Sequence, residues 1–279
     1  MSQSLSFALN RMVAPSLALP SFIQLTQQLG CAALELRNDL TGVELEDGTP
    51  ATEVRALCQA AGLRILSINA LYPFDVWNDE RRVQALRLAA YARDCGAEGL
   101  VLCPLNDRGD RRDVAQRARD LRTALSELAP ILRDHGVRGF VEPLGFPESA
   151  LRLKRQAVEA IRAIGGLDVF RLVHDTFHHH LAGETEYFAE LTGLVHISGV
   201  DDASLPVDQL RDAHRVLVGE ADRLGNAAQI ERLLADGYRG VLSFEPFAAS
   251  IQALPDVAPT LVRSMRLLQE RVGCTTETA

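Results

Sequence analysis

Short apolar runs alternate along the chain with longer segments whose apolar residues recur at helical spacing, and eight such pairs can be counted. The runs predict strands over 7–10, 33–37, 63–69, 99–103, 137–142, 170–175, 194–196 and 240–244. The longer segments predict helices over 17–29, 52–61, 80–95, 114–135, 154–164, 227–236 and 257–272, with a short one near 185–191. Glycines 30, 62, 96 and 136 punctuate the helix ends, Pro20 falls in an opening turn, and Pro130 is expected to kink or split the long fourth helix. Gly199 to Asn226 is too long for a bare βα turn, so it is either an active-site excursion or partly ordered by itself. Eight strand–helix pairs point to an α/β fold, a (β/α)8 TIM barrel, and to one domain over 1–279 with a tail that frays from about 273.

In a parallel barrel both faces of each strand are covered, so polar residues concentrate at the C-terminal strand ends, where active sites sit. Asn10, Arg37, Asn69, Glu142, Asp175, His196 and Glu245 each fall at or near such an end. Side chains alternate faces along a strand, so if Glu245 points into the barrel, Ser243 does too and Phe244 packs outward. The same parity turns Asp175 inward and His174 outward. Three carboxylates and one imidazole make an oxygen-rich site for a single divalent ion. Mn2+, Mg2+ or Co2+ suit the carboxylates best, and Zn2+ accepts the same ligand types. Any one of these acids alone is explained as well by capping a helix or pairing with an arginine such as Arg37. Three clustered acids without a cation repel one another.

Composition narrows the function classes. At 279 residues, with 47% hydrophobic and 24% charged, the chain reads as a globular protein, and no run approaches the roughly 18 apolar residues of a membrane helix. The N-terminus shows no export signal, so a cytoplasmic location is expected. Five cysteines without a C-x-x-C pair suit reduced, buried thiols. A net charge of −8 argues against a nucleic-acid partner, and Arg108, Arg111 and Arg112 are interleaved with aspartates as on a solvated loop.

The motifs V-E-P-L at 141–144, H-D-T-F-H at 174–178, V-H-I-S-G at 195–199 and S-F-E-P-F at 243–247 resemble those of the xylose-isomerase-like TIM barrels of the sugar isomerase and epimerase type. The resemblance covers essentially the whole chain. It implies that Glu142, Asp175, His196 and Glu245 hold one divalent metal and that His178 contacts substrate beside it. It also implies an enzyme, with a homodimer as a possible assembly. Within the family, the F-A-L-N-R-M start, the R-N-D-L loop, S-I-N-A-L-Y-P-F-D-V-W-N and H-D-T-F-H-H-H look most like inosose (2-keto-myo-inositol) isomerases of inositol catabolism. Ser198 to Asp202 departs from the Lys-Asp or Glu-x-x-Arg segment that follows the strand-7 histidine in many relatives.

On this reading the substrate is a small polyhydroxy ketone. Glu142 and Glu245 flank it as the catalytic pair, moving a proton beside the carbonyl while the metal stabilises the developing enediolate. Which glutamate is the base stays open. Arg37, Asn10 and Asn69 are candidates for substrate hydroxyls, and Trp77, with Tyr72, Phe74 and Phe177, for the pocket wall. Arg215, Glu220 and Arg223 either close over the site or are surface charges. A ketose 3-epimerase, a hydroxypyruvate isomerase and an inosose dehydratase share this chemistry. An abasic-site endonuclease on the same fold needs more histidine ligands and a basic groove. A non-catalytic sugar-binding barrel would have no use for the complete ligand quartet.

Overall fold

The computed structural model describes residues 5–274, with side chains over 5–272, and its eight parallel strands close into a barrel in sequence order, β8 pairing with β1. The strands are β1 (Phe7–Asn10), β2 (Ala33–Arg37), β3 (Arg64–Leu71), β4 (Ala97–Leu102), β5 (Arg138–Val141), β6 (Phe170–Asp175), β7 (Thr192–Ile197) and β8 (Leu242–Phe244). The helices are α1 (Leu19–Gln28), α2 (Ala51–Ala60), α3 (Asp79–Cys95), α4 (Val114–His135), α5 (Lys154–Ala163), α6 (Thr176–Ala182), α7 (Asn226–Ala235), α8 (Ala249–Gln252) and α9 (Ala258–Cys274). No helix among the described residues is long and apolar enough to cross a membrane.

Local chemistry sets the element boundaries. Asn78 and Asp113 accept backbone N–H bonds that open α3 and α4, and Gly96 closes α3 at φ 79°, a left-handed conformation that costs a glycine little. Three expectations are corrected. Helix α4 runs unbroken through Pro130, because Leu121, Leu125, Leu128 and Leu132 anchor it to the barrel on both sides of the proline's missing N–H bond. The sixth helix is not at 185–191, where there is only a 3-10 turn over Ala189–Leu191. It starts directly after β6, because the Asp175 carboxylate caps it through the His178 N–H. Beyond β8, α8 was not expected. Helix α9 extends to Cys274, and the rest of the tail expected to fray lies outside the described residues.

Two separate cores follow from the strand parity. Outward residues such as Leu34, Leu36, Ile68, Leu100 and Phe244 join the helices in one large core. Inward residues Ala8, Ala33, Leu66, Val101, Phe140, Val173, Leu194 and Val241 form a small apolar plug inside the barrel. Phe140 packs there against the bare backbone of Gly99. A Cβ on Gly99 would lie 2.7 Å from its ring, so bare backbone is needed there. Two residues further along most strands the inward positions turn polar, and the site stands on this plug.

Candidate active site

β5 to β8 deliver Glu142, Asp175, His196 and Glu245 to one point at the C-terminal mouth, all buried, with one ligand atom from each lying within 4.8 Å of the others. His196 Nδ1 is 2.9 Å from Glu142 Oε1, 3.3 Å from Glu245 Oε2 and 3.9 Å from Asp175 Oδ2. A divalent ion with bonds of about 2.0–2.2 Å takes neighbouring ligand atoms roughly 3–3.5 Å apart; the spacings of His196 to Glu142 and Glu245 lie near this and Asp175 stands wider, and the types of donor suit such an ion.

Two arginines and the imidazole balance the acids. Arg215 Nη2 donates to Asp175 Oδ2 at 2.6 Å and Glu245 Oε2 at 3.0 Å, and its Nε donates to Ser198 Oγ at 3.0 Å. The excursion after β7 delivers it. An antiparallel bridge pairs Gly199 with Val216, and the Arg215 carbonyl accepts the N–H groups of Phe247 and Ala248. Its guanidinium lies over the rings of Phe177 (5.1 Å) and Phe247 (4.7 Å). Glu220 instead pairs with Arg271 on the surface, and Arg223 donates to the carbonyls of Asp202 and Leu205, so neither joins the quartet.

The two glutamates differ in their second oxygen. Glu245 Oε1 accepts from Asn10 Nδ2 (3.2 Å), Arg37 Nη1 (2.9 Å) and Asn69 Nδ2 (3.0 Å). Among the described residues Glu142 Oε2 accepts a hydrogen bond only from the thiol of Cys103, at 3.2 Å, a weak donor. Burial raises the Glu245 carboxyl above its usual range against the pull of His196 and Arg215. Burial also acts on Glu142, but the charge and hydrogen bond of His196, with the charges of His178 and Arg215, outweigh it and bring that carboxyl down. His196 is itself raised well above an ordinary imidazole, the surrounding glutamates overcoming the effect of burial.

The other expected residues divide. The His178 ring packs edge-on against Phe146 (5.2 Å) and Phe177 (5.3 Å), and its buried Nδ1 has no hydrogen-bond partner among the described residues. Trp77 packs half-buried against the helix-facing core, which also buries Phe74, while Tyr72 is largely exposed. Among the described residues none of these three meets the quartet through a hydrogen bond or a ring contact, whereas Phe177, also expected at the wall, and Phe247 lie under the Arg215 guanidinium that does.

His174 lies behind the sheet, as parity requires. Lys154 Nζ and Gln229 Oε1 each approach a ring nitrogen at 2.9 Å, the Tyr187 ring stacks on it at 5.4 Å, and His179 lies tilted against it at 4.7 Å. Two participants were not expected. Cys103 is one. The other is Glu35 in the middle of β2, whose carboxylate touches His196, Ser67 and Ser243 inside the barrel. Its signal in the sequence is parity alone, since Glu35 shares its strand face with Arg37.

A closed parallel barrel with three acids and a histidine converging on its C-terminal mouth defines a TIM-barrel protein with a carboxylate–imidazole centre suited to a divalent metal. The chain belongs to the xylose isomerase-like TIM barrel family, whose model matches residues 23–271. It is 34% identical to a xylose isomerase domain containing protein of Salmonella typhimurium LT2, with a TM-score of 0.88 over 96% of this chain and 98% of that one. At 20% identity it superposes on the IOLI protein, solved with a bound zinc atom, with a TM-score of 0.83 over 98% and 100% of the two chains. Among curated proteins it is 32% identical over 130 residues to inosose isomerase of Halalkalibacterium halodurans, a match covering 44% of each chain and so under half of that relative.

Proposed function

We propose that this chain is an isomerase that moves a carbonyl along a polyhydroxy ketone, with 2-keto-myo-inositol (inosose) as its substrate and one divalent ion held by Glu142, Asp175, His196 and Glu245. The observation that carries the reading is the buried quartet itself, with one candidate ligand atom from each residue lying within 4.8 Å of the others in the mouth of the barrel. The match to inosose isomerase supports the choice of substrate. A divalent ion supplies Lewis-acid stabilisation of negative charge on neighbouring substrate oxygens. Mn2+, Mg2+ and Co2+ suit three carboxylates and one imidazole, and Zn2+ shares these ligands.

The protein groups take distinct roles. Glu142, whose Oε2 meets only a thiol, takes the proton from the carbon beside the carbonyl. Glu245, its Oε1 fixed by three donors, completes the transfer on the opposite side. Asn10, Arg37 and Asn69 stand where substrate hydroxyls can share their donors, and His178 offers its unpartnered Nδ1. The aromatic faces of Phe177 and Phe247 limit the access of water to the proton in flight.

Incubation of metal-loaded protein with 2-keto-myo-inositol in heavy water, followed by NMR, is expected to give a new ketone isomer carrying deuterium at a former ring C–H. A diketone formed with loss of water would assign a dehydratase, and inversion at one carbon an epimerase. No reaction with any inosose, ketohexose or hydroxypyruvate would overturn the isomerase reading.

A further inference from the structure

Inside the barrel, one layer below the quartet, lies an acid that the proposed reaction does not use. Glu35 is fully buried, on the inward face of β2 between Ala33 and Arg37. Ser67 Oγ donates to its Oε2 at 2.6 Å, and Ser243 Oγ donates to its Oε1. A hydroxyl has one proton to give, and here both serines, from β3 and β8, direct theirs at the same carboxylate. Glu35 Oε2 is also 3.1 Å from Nε2 of His196, while Nδ1 of that ring faces Glu142 and Glu245 above it. The imidazole is therefore clamped between an acid beneath and the quartet's carboxylates on top.

An ionised carboxylate offers only acceptors, so the ring nitrogen that faces it must carry a proton. Nδ1 faces carboxylates as well, those of Glu142 and Glu245, but these are the acids a cation would draw on, so with Nε2 held protonated by Glu35 the nitrogen left to give up its proton to an entering cation is Nδ1. We infer that Glu35 is a positioning residue: by accepting the Nε2 proton of His196, braced by Ser67 and Ser243, it fixes the tautomer and ring orientation that present Nδ1 to a divalent cation. This rests on the metal reading above. A carboxylate behind a ligating histidine fixes the ring and raises its basicity, and removing such a partner weakens metal binding by 10–100-fold. A purely space-filling role would be met as well by an apolar side chain, and would leave Ser67 and Ser243 without a purpose.

The test uses the metal ion alone. Co2+ and Zn2+ affinity is measured by calorimetry and chelator competition for wild type, for Glu35→Gln, and for a Ser67→Ala/Ser243→Ala double variant that keeps the carboxylate but frees it to turn. Each ion's effect on the melting temperature is recorded for all three. Cd2+-loaded protein with 15N-labelled histidine reports by NMR which ring nitrogen is bound and which protonated. Expected are Nδ1 bound and Nε2 protonated in wild type, about 10–100-fold weaker binding in Glu35→Gln, and a several-fold loss in the double variant. The metal-induced rise in melting temperature should shrink in step, a change that a structural role alone would not produce. Wild-type affinity in the folded variants, or cadmium on Nε2, would overturn the inference and leave the metal site standing. A wild-type protein that binds none of these ions would remove both. Should Glu35→Gln fail to fold, the double variant and the cadmium spectrum decide.

Discussion

Glu142 and Glu245 are alike in sequence context, each closing an apolar strand, yet their surroundings give them different work. One outer oxygen meets a single thiol and the other is held by two amides and a guanidinium. On the proposed mechanism both carboxylates hold the proton in transit, so Glu142→Gln and Glu245→Gln should each lower kcat by at least about 100-fold while KM moves only a few-fold. The double variant should be scarcely worse than either single one, because the two act on one proton. Steady-state kinetics settles this, and a single variant that retains near-wild-type turnover would remove the two-glutamate assignment. Cys31, Cys58 and Cys95 are buried with their thiols pushed up to between about 11 and 12, as inert core residues should be. Cys103 differs from them only through the strand that carries it to the mouth.

At the level of elements, α5, β6 and α6 meet around a buried amine. Lys154, at the start of α5, reaches His174 Nδ1 at 2.9 Å and the Tyr187 carbonyl at 3.3 Å, with His179, Glu184, Glu186 and the Tyr187 ring around it. Burial lowers its pKa to about 7, against the opposing charges of Glu184 and Glu186. Between about 7 and the ordinary 10.5 the unfolded chain holds a proton that the folded one has released. Stability therefore increases as pH rises through that window, by up to about 1.4 kcal/mol per pH unit, and the full penalty is present below it. Lys154→Met should remove this part of the slope. Urea denaturation of both proteins between pH 7 and 9 measures it, and parallel pH dependences would show that the amine is not held neutral.

For the molecule as a whole, the site concentrates opposing charge from five strands and one long excursion inside a single barrel. Arg215, on the excursion, neutralises acids from β6 and from the end of β8. Arg215→Met should destabilise metal-free protein by about 3–5 kcal/mol, because two buried carboxylates lose their shared partner. A divalent ion on the same oxygens should restore much of that loss, giving the variant a larger metal-induced stabilisation than wild type shows. Denaturation with and without Co2+ tests it, and equal metal effects in both proteins would place Arg215 outside the charge balance of the centre.

The order of strands and helices, the barrel and the four converging ligands were legible in the sequence because each rests on local periodicity plus one rule, that inward side chains at strand ends meet at the mouth. Parity even placed His174 behind the sheet and Ser243 inside it. The sequence did not show that Asp175 opens a helix at once and so moves α6 off its expected place, since capping depends on the backbone geometry at the end of β6. Nor did it show which arginine of the excursion returns to the site. Arg215 and Arg223 are both basic residues on one irregular segment, and only the pairing of Gly199 with Val216 sends the first inward. Strand-end position had put Asn10, Arg37 and Asn69 at the mouth, but their convergence on Glu245, like the parts played by Glu35 and Cys103, was beyond local reading for the same reason. Their partners are 32 to 235 residues away in the chain, and barrel closure alone brings them within hydrogen-bonding distance.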